Sequence, residues 1–188
     1  MSAGGDAETG GKVCFYRADP DDLAAQAPDL GELTLRTWMP GRDGRPRGAF
    51  SSRANLAWWA MQRAGAFSRP DLAIYALFEG ERMVHRLLVT PRWYRFGFMA
   101  KADRQLGMLW TAPDCRGRGL ARLGMAAAHA DYADRAQCFW YLVDADNQAS
   151  IRLAEAMGYR LAGHGRRTRP LGLAPFGRFV LSRLREPA

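Results

Sequence analysis

Gln105-Leu-Gly-Met-Leu-Trp-Thr-Ala-Pro-Asp-Cys-Arg-Gly-Arg-Gly-Leu-Ala121 is the stretch on which the reading of this chain turns. Its first seven residues, Gln105–Thr111, are mostly apolar and bounded by turn formers, the pattern of a strand. Pro113 to Arg118 form a loop. A helix is then predicted from about Gly119 to Asp134, with Leu120, Leu123 and Ala127 on one face. A strand that runs through a Gly-rich loop into a helix exposes free backbone N–H groups at the positive end of the helix dipole. Gly117 and Gly119 allow close backbone approach, and Arg116 and Arg118 add full charge. The combination predicts a phosphate or pyrophosphate cradle. A Walker A loop needs Gly-Lys followed by Ser or Thr, which does not occur. A dinucleotide fingerprint needs a third glycine where Arg122 stands. What remains is R-x-x-G-x-A, from Arg116 to Ala121.

Outward from this stretch the chain reads as mixed α/β. Downstream, Cys138–Val143 is a continuous apolar run of buried-strand length. Asn147 to Met157 is predicted helical, stopped by Gly158. Short strands follow at Tyr159–Ala162 and Phe179–Leu184. Upstream, Lys12–Arg17 is a strand candidate, and Pro20–Arg47 reads as a short helix with irregular loops. Ser51 or Ser52 caps a helix carrying Leu56, Trp59, Ala60 and Arg63 at helical spacing. Asp71–Phe78 and Met83–Val89 form a hairpin through Glu79-Gly80-Glu81-Arg82. Residues 1–11, acidic and Gly-rich, read as a flexible tail, and 12–188 as one domain.

Composition excludes several classes. The 188 residues carry 48% hydrophobic and 24% charged residues, as soluble globular chains do. The net charge of +8 is concentrated at one end: residues 160–188 hold seven arginines and one acid. A neutral body with a basic end argues against a nucleic-acid coat; the end reads either as an attractor for an acidic substrate or as a solvated face. No apolar run approaches the roughly 18–20 residues needed to span a bilayer. Cys14, Cys115 and Cys138 cannot all pair, and neither they nor the three histidines have metal-ligand spacing. No metal is expected, and a reducing cytoplasm is the expected compartment.

With Arg116, Gly119 and Ala121 on the page, the loop resembles the acetyl-CoA loop, Q/R-x-x-G-x-G/A, of the GCN5-related N-acetyltransferase (GNAT) superfamily. A second stretch, Asn147 to Tyr159, is similar to that family's N-x-x-S/A-x-x-L…G-F/Y segment through Asn147, Ser150, Leu153, Gly158 and Tyr159. The resemblance implies a central, splayed, mostly antiparallel sheet flanked by helices. It implies acetyl-CoA as acyl donor, with the pantetheine arm between strands 105–111 and 138–143. Backbone near Trp110 and Thr111 would pair with that arm, and Asn147 and Ser150 would contact it. The pyrophosphate would lie on the backbone of Arg116, Gly117, Arg118, Gly119, Leu120 and Ala121. The reaction implied is direct attack of a primary amine, in a ternary complex, on the thioester.

The catalytic groups stay open on sequence. Many relatives place a tyrosine seven residues after the asparagine to protonate the leaving thiolate; here that position is Ala154. Ser150 and Tyr141 are the substitutes, and loss of a bare thiolate is a third route. Asp103 and His85 are the base candidates, each competing with an ordinary structural role. A backbone N–H near Thr111 is the expected oxyanion donor. Asn147 also reads as a helix N-cap and Cys115 as a packing residue. Trp93–Phe98 could wall the acceptor pocket, or serve as core or a homodimer contact, and Trp58-Trp59 could border the cleft. The expected acceptor is a small polar amine. The rivals are a GNAT-fold protein that binds acyl-CoA without catalysis and a basic nucleic-acid-binding module.

Overall fold

The computed structural model describes residues 12–23, 28–168 and 177–183. The strands are β1 (Lys12–Ala18), β2 (Thr34–Trp38), β3 (Ala73–Glu79), β4 (Arg82–Pro91), β5 (Arg104–Thr111), β6 (Phe139–Asp144), β7 (Arg160–Arg167) and β8 (Phe179–Arg183). The helices are α1 (Pro40–Asp43), α2 (Arg53–Arg63), α3 (Leu120–Tyr132) and α4 (Gln148–Ala156). All eight strands join one sheet in the order β2-β3-β4-β5-β6-β1-β7-β8. Every neighbouring pair is antiparallel except β5 and β6.

Period-two alternation distributes the strand side chains between two cores. Tyr75 on β3, Leu87 on β4, Tyr16 on β1 and Tyr141 on β6 face Met125 and Tyr132 of α3 and Ala154 of α4. Ile74, Leu88, Phe15 and Trp140 point the other way, into a cluster with Trp58, Trp59 and Met61 of α2. The sheet is therefore covered on one face by α3 and α4 and on the other by α2.

Most predicted elements are present. The helix predicted at 119–134 spans Leu120–Tyr132, with Gly119 as its cap. The strand predicted at 159–162 runs on to Arg167 because β1 and β8 pair with it on both sides. One expectation is corrected: Pro20–Arg47, read as a short helix with irregular loops, holds a strand besides the short helix α1. Thr34–Trp38 forms the edge strand β2, paired in register with β3 from Thr34 opposite Phe78 to Trp38 opposite Ile74. The expected tail 1–11 and the strand end at Leu184 lie outside the described residues, and the basic C-terminal end is described only in part.

The feature that makes a site is the β5–β6 pair. The two strands run parallel but pair only over Arg104–Leu106 and Phe139–Tyr141. Beyond that point β5 follows β4, in a register that shifts between Arg86 and Leu88. Met108, opposite the shift, has φ 52°, the one positive φ outside glycine among the described residues. The shift is a β-bulge, and a bulge bends its strand and raises the local twist. β5 thus turns away from β6 and leaves a split in the middle of the sheet.

Candidate functional site

Two concavities flank the split. One, of about 690 Å3, opens on the α3 and α4 side and is lined by Trp110, Thr111, Arg116, Gly117, Gly119 and Ala121, with Leu153 of α4 opposite. The other, of about 540 Å3, opens on the α2 side. Trp58, Trp93, Phe96 and Phe179 form one wall of it, with Gly107, Met108 and Asp144 at the split. Leu109, Asn147 and Ser150 line both. The cavities therefore meet at the mouth of the split.

The first cavity is a backbone cradle. Gly117 and Gly119 have φ 78° and 76°, a conformation that L side chains rarely adopt, and a Cβ at either would point into open space. Gly119 caps α3 with no side chain over its first amides. These uncapped N–H groups lie at the positive end of a 13-residue helix, which suits a pyrophosphate. The edge of β5 that the split leaves free suits an extended amide-bearing arm, which pairs with it as an added strand would. The chemistry of the cradle thus fits the pyrophosphate and pantetheine parts of a CoA thioester.

Of the predicted cradle residues, Arg118 is placed elsewhere. Its guanidinium pairs with Glu79 at the end of β3 and reaches Cys115 Sγ at 3.5 Å, outside the cavity lining. Arg122, which the sequence reading passed over as a spoiled glycine position, lines the cradle beside Arg116. Leu120 is buried against Leu77, Val84, Ala112 and Cys115 and contributes backbone. Cys115, 2% exposed, is a packing residue.

Asn147 and Ser150 stand at the start of α4. Asn147 Oδ1 accepts the N–H of Ser150 at 3.1 Å, so Asn147 does cap the helix. Its amide nitrogen remains available to the split. The Ser150 and Tyr141 side chains both line the second cavity, and burial raises the Tyr141 pKa above its ordinary 10.0. Tyr141 therefore keeps its proton at neutral pH. Ala154 is fully buried beneath this pair.

Neither base candidate reaches the split. His85 shares the strand face of Leu87 and lies beneath α3, where a Cβ on Gly124 would stand 2.8 Å from its Cδ2 and Nε2. Its Nδ1 is 2.8 Å from Thr111 Oγ1, and its Nε2 has no partner. Desolvation lowers its pKa to about 4, so it is neutral and sealed. Asp103 sits at the far end of β5, five residues and roughly 16 Å of strand upstream of the bulge. Its Oδ2 accepts from Ala100 N at 2.8 Å and Trp140 Nε1 at 2.9 Å, bonds that hold the loop before β5. It lines neither cavity.

Sequence reading missed Asp144, the last residue of β6, whose carbonyl accepts Asn147 N at 2.9 Å. Among the described residues that line the second cavity it alone carries a carboxylate. It also missed Gln105, which together with Thr90 floors that cavity through a 3.0 Å hydrogen bond from Thr90 Oγ1 to Gln105 Oε1. Of the aromatic segment, Trp93 and Phe96 line the cavity, while Phe98 packs between Phe15 and Trp140. Among the described residues no cluster of His, Cys, Asp and Glu could hold a metal, and no helix is long and apolar enough to cross a membrane.

Residues 30–159 match the family model of the acetyltransferase (GNAT) family. Similar solved structures include a GNAT-family acetyltransferase from Novosphingobium aromaticivorans, at TM-score 0.54 and 18% identity over 84% of this chain and 62% of that one. A tandem GNAT protein of the clavulanic acid biosynthesis pathway aligns at TM-score 0.57 and 14% identity, over 82% of this chain and 51% of that one. A GCN5-related N-acetyltransferase from Sphaerobacter thermophilus aligns at 0.55 and 18%, over 82% and 50%. The chain thus spans roughly half to three fifths of the length of these structures, and the likeness to them is one of fold. No curated protein matches the sequence.

Proposed function

Since the chain belongs to the GNAT acetyltransferase family, we propose that it moves an acetyl group from acetyl-CoA to an amine held on the opposite side of the split. One observation carries this: a backbone cradle and a side-chain pocket, on opposite faces of the sheet, meet at Leu109, Asn147 and Ser150. Direct transfer needs that geometry, because donor and acceptor must be bound together and touch at one point.

The residues divide the work by position. The amides from Gly117 to Ala121 hold the pyrophosphate, and Arg116 and Arg122 add charge at its rim. The free edge of β5 and the Asn147 side chain orient the pantetheine arm. A CoA thioester supplies the activated acetyl group. The backbone around the Met108 bulge, rather than Thr111, supplies the N–H that stabilises charge developing on the thioester oxygen, because the bulge lies at the split. Ser150, backed by Tyr141, donates to the departing sulfur, in place of the tyrosine that Ala154 replaces. His85 and Asp103 take no part. The amine loses its proton within the second cavity, to water or to the carboxylate there.

A second reading, acyl-CoA binding without transfer, is favoured by Ala154 alone. Calorimetry with acetyl-CoA, followed by thiol release across an amine panel, separates the two. Under the main reading acetyl-CoA binds and some amines release thiol. Binding with no release from any amine supports the second, and no binding at millimolar acetyl-CoA overturns both.

A further inference from the structure

The stretch that leads into α2 and through it carries charge of one sign only. Residues 44–70 hold five arginines and no Asp or Glu. Three of them, Arg45, Arg47 and Arg53, are exposed and line one concavity of about 450 Å3, together with Ser51, Ser52 and Leu56. Elsewhere exposed arginines sit against carboxylates, as Arg82 does with Asp114 and Arg118 with Glu79. Arg45, Arg47 and Arg53 enter no ion pair among the described residues.

The loop that carries the first two is held at both ends. Gly44 and Gly48, at φ 72° and 55°, turn the chain on either side of Arg45-Pro46-Arg47, and Pro46 fixes a φ between the arginines. Trp38 Nε1 donates to the carbonyl of Gly44 at 3.2 Å. Asn55, 5% exposed, donates through Nδ2 to the carbonyl of Phe50 at 2.7 Å. The Phe50 ring stacks on Trp38, 6.4 Å between centroids. β2 and α2 thus pin the loop. Like charges repel, and here the backbone holds three of them around one concavity. A loop fixed in advance binds an anion at less ordering cost than a loose one.

Three converging cations match more than one negative charge, which a phosphate group carries and a single carboxylate does not. Planar guanidinium forks also fit phosphate oxygens. Ser52 Oγ accepts from Asn55 N at 3.0 Å, so its own proton is left to donate. The volume is within the roughly 300–1,000 Å3 of small-molecule pockets. The neighbouring ring, Trp59, lies under Arg45 and Arg63, whose guanidinium carbons are 5.5 and 5.9 Å from its centroid. It is covered by cations rather than offered to stacking bases, which favours a compact ligand over a nucleic-acid strand. The concavity shares no lining residue with the cradle or the second cavity. Leu56 lines it while Trp58 lines the second cavity, and residues two apart on a helix lie about 200° apart, so α2 stands between the two.

We propose that the concavity before α2 binds a small phosphorylated molecule, held through its phosphate by Arg45, Arg47 and Arg53, at a site separate from donor and acceptor.

The probe is pyrophosphate, titrated by calorimetry into the whole chain at low salt with acetyl-CoA saturating, so that the cradle is filled. Pyrophosphate is expected to bind at one site, and more weakly as salt rises. Arg47→Ala and Arg53→Ala are each expected to weaken it about fivefold, and the double variant about 25-fold, with acetyl-CoA affinity unchanged. Absence of pyrophosphate binding to the acetyl-CoA complex overturns the site, and so does equal affinity in parent and double variant. A DNA duplex of about 20 base pairs that binds the parent more tightly than pyrophosphate does, and loses that affinity in the double variant, overturns the small-molecule reading in favour of nucleic acid. Failure of acetyl-CoA to bind overturns the transferase reading alone: neither arginine lines the cradle, so the comparison of parent and double variant still reads this site.

Discussion

The cradle on the α3 side and the pocket on the α2 side share a split but differ in what they are made of. The cradle comes mostly from one run of chain, residues 109–122, and its chemistry is backbone: amides, two left-handed glycines and a helix end. The pocket is made of residues from β1, α2, β4, the segment after it, β5, β6, the start of α4, β7 and β8. A ligand common to many proteins is held by groups that every residue carries. A ligand peculiar to one protein is held by side chains that can change without disturbing the fold. The difference teaches where to look for each property: donor binding in local conformation, acceptor choice in tertiary packing.

The sharpest way to break this contrast is to fill the cradle. Gly119→Trp forces a bulky side chain onto a residue at φ 76° and projects it into the open space that the glycine leaves. Acetyl-CoA affinity by calorimetry is expected to fall roughly 100-fold or more, with far-UV circular dichroism unchanged. A variant that binds as well as the parent removes the backbone cradle from the argument.

Acid probes what lies beneath the cradle. Burial holds His85 and His129 at about pKa 4, against an ordinary value of 6.5. The unfolded chain therefore binds protons between pH 6.5 and 4 that the folded chain refuses, so stability falls as pH drops through that window. From pH 7 to pH 5 the loss is expected to be about 2 kcal/mol for each histidine, read as a fall in the urea midpoint. His85 supports Thr111 and lies under Gly124, so His85→Leu is expected to flatten this pH dependence by about half. An equal slope in parent and variant would show that His85 is not held neutral.

These contrasts also explain what was legible in the sequence. The cradle was readable because strand, glycines, arginine and helix follow one another within a few residues, and Asn147–Tyr159 did the same for α4. β2 was hidden because Thr34–Trp38 is short and lies in a Pro-, Gly- and Asp-rich region, and its strand character comes from pairing with β3. His85 looked like a base because alternation along β4 gives its face but not which helix covers that face. Asp103 looked like one because its distance from the reacting end depends on where β5 bends, and Met108 carries no sequence sign of a positive φ. Trp93 and Asp144 could not be joined on sequence at all, since 50 residues and two strands separate them.

The finest test concerns two arginines that the motif treats alike. Arg116 and Arg118 flank Gly117, and both were expected on the pyrophosphate. Gly117 between them has φ 78°, a left-handed turn, so the backbone changes direction and one arginine faces the cradle while the other turns to the end of β3. Arg116 lines the cradle, whereas Arg118 is engaged by Glu79. Both are well exposed and act through water, so the expected effects are small. Arg116→Ala is expected to weaken acetyl-CoA binding about fivefold at low salt, and less as salt screens the charge. Arg118→Ala is expected to leave it within about twofold. Equal losses at both positions would mean that Arg118 leaves Glu79 when the donor binds, and that side-chain charge governs the cradle more than the geometry of Gly117 and Gly119 implies.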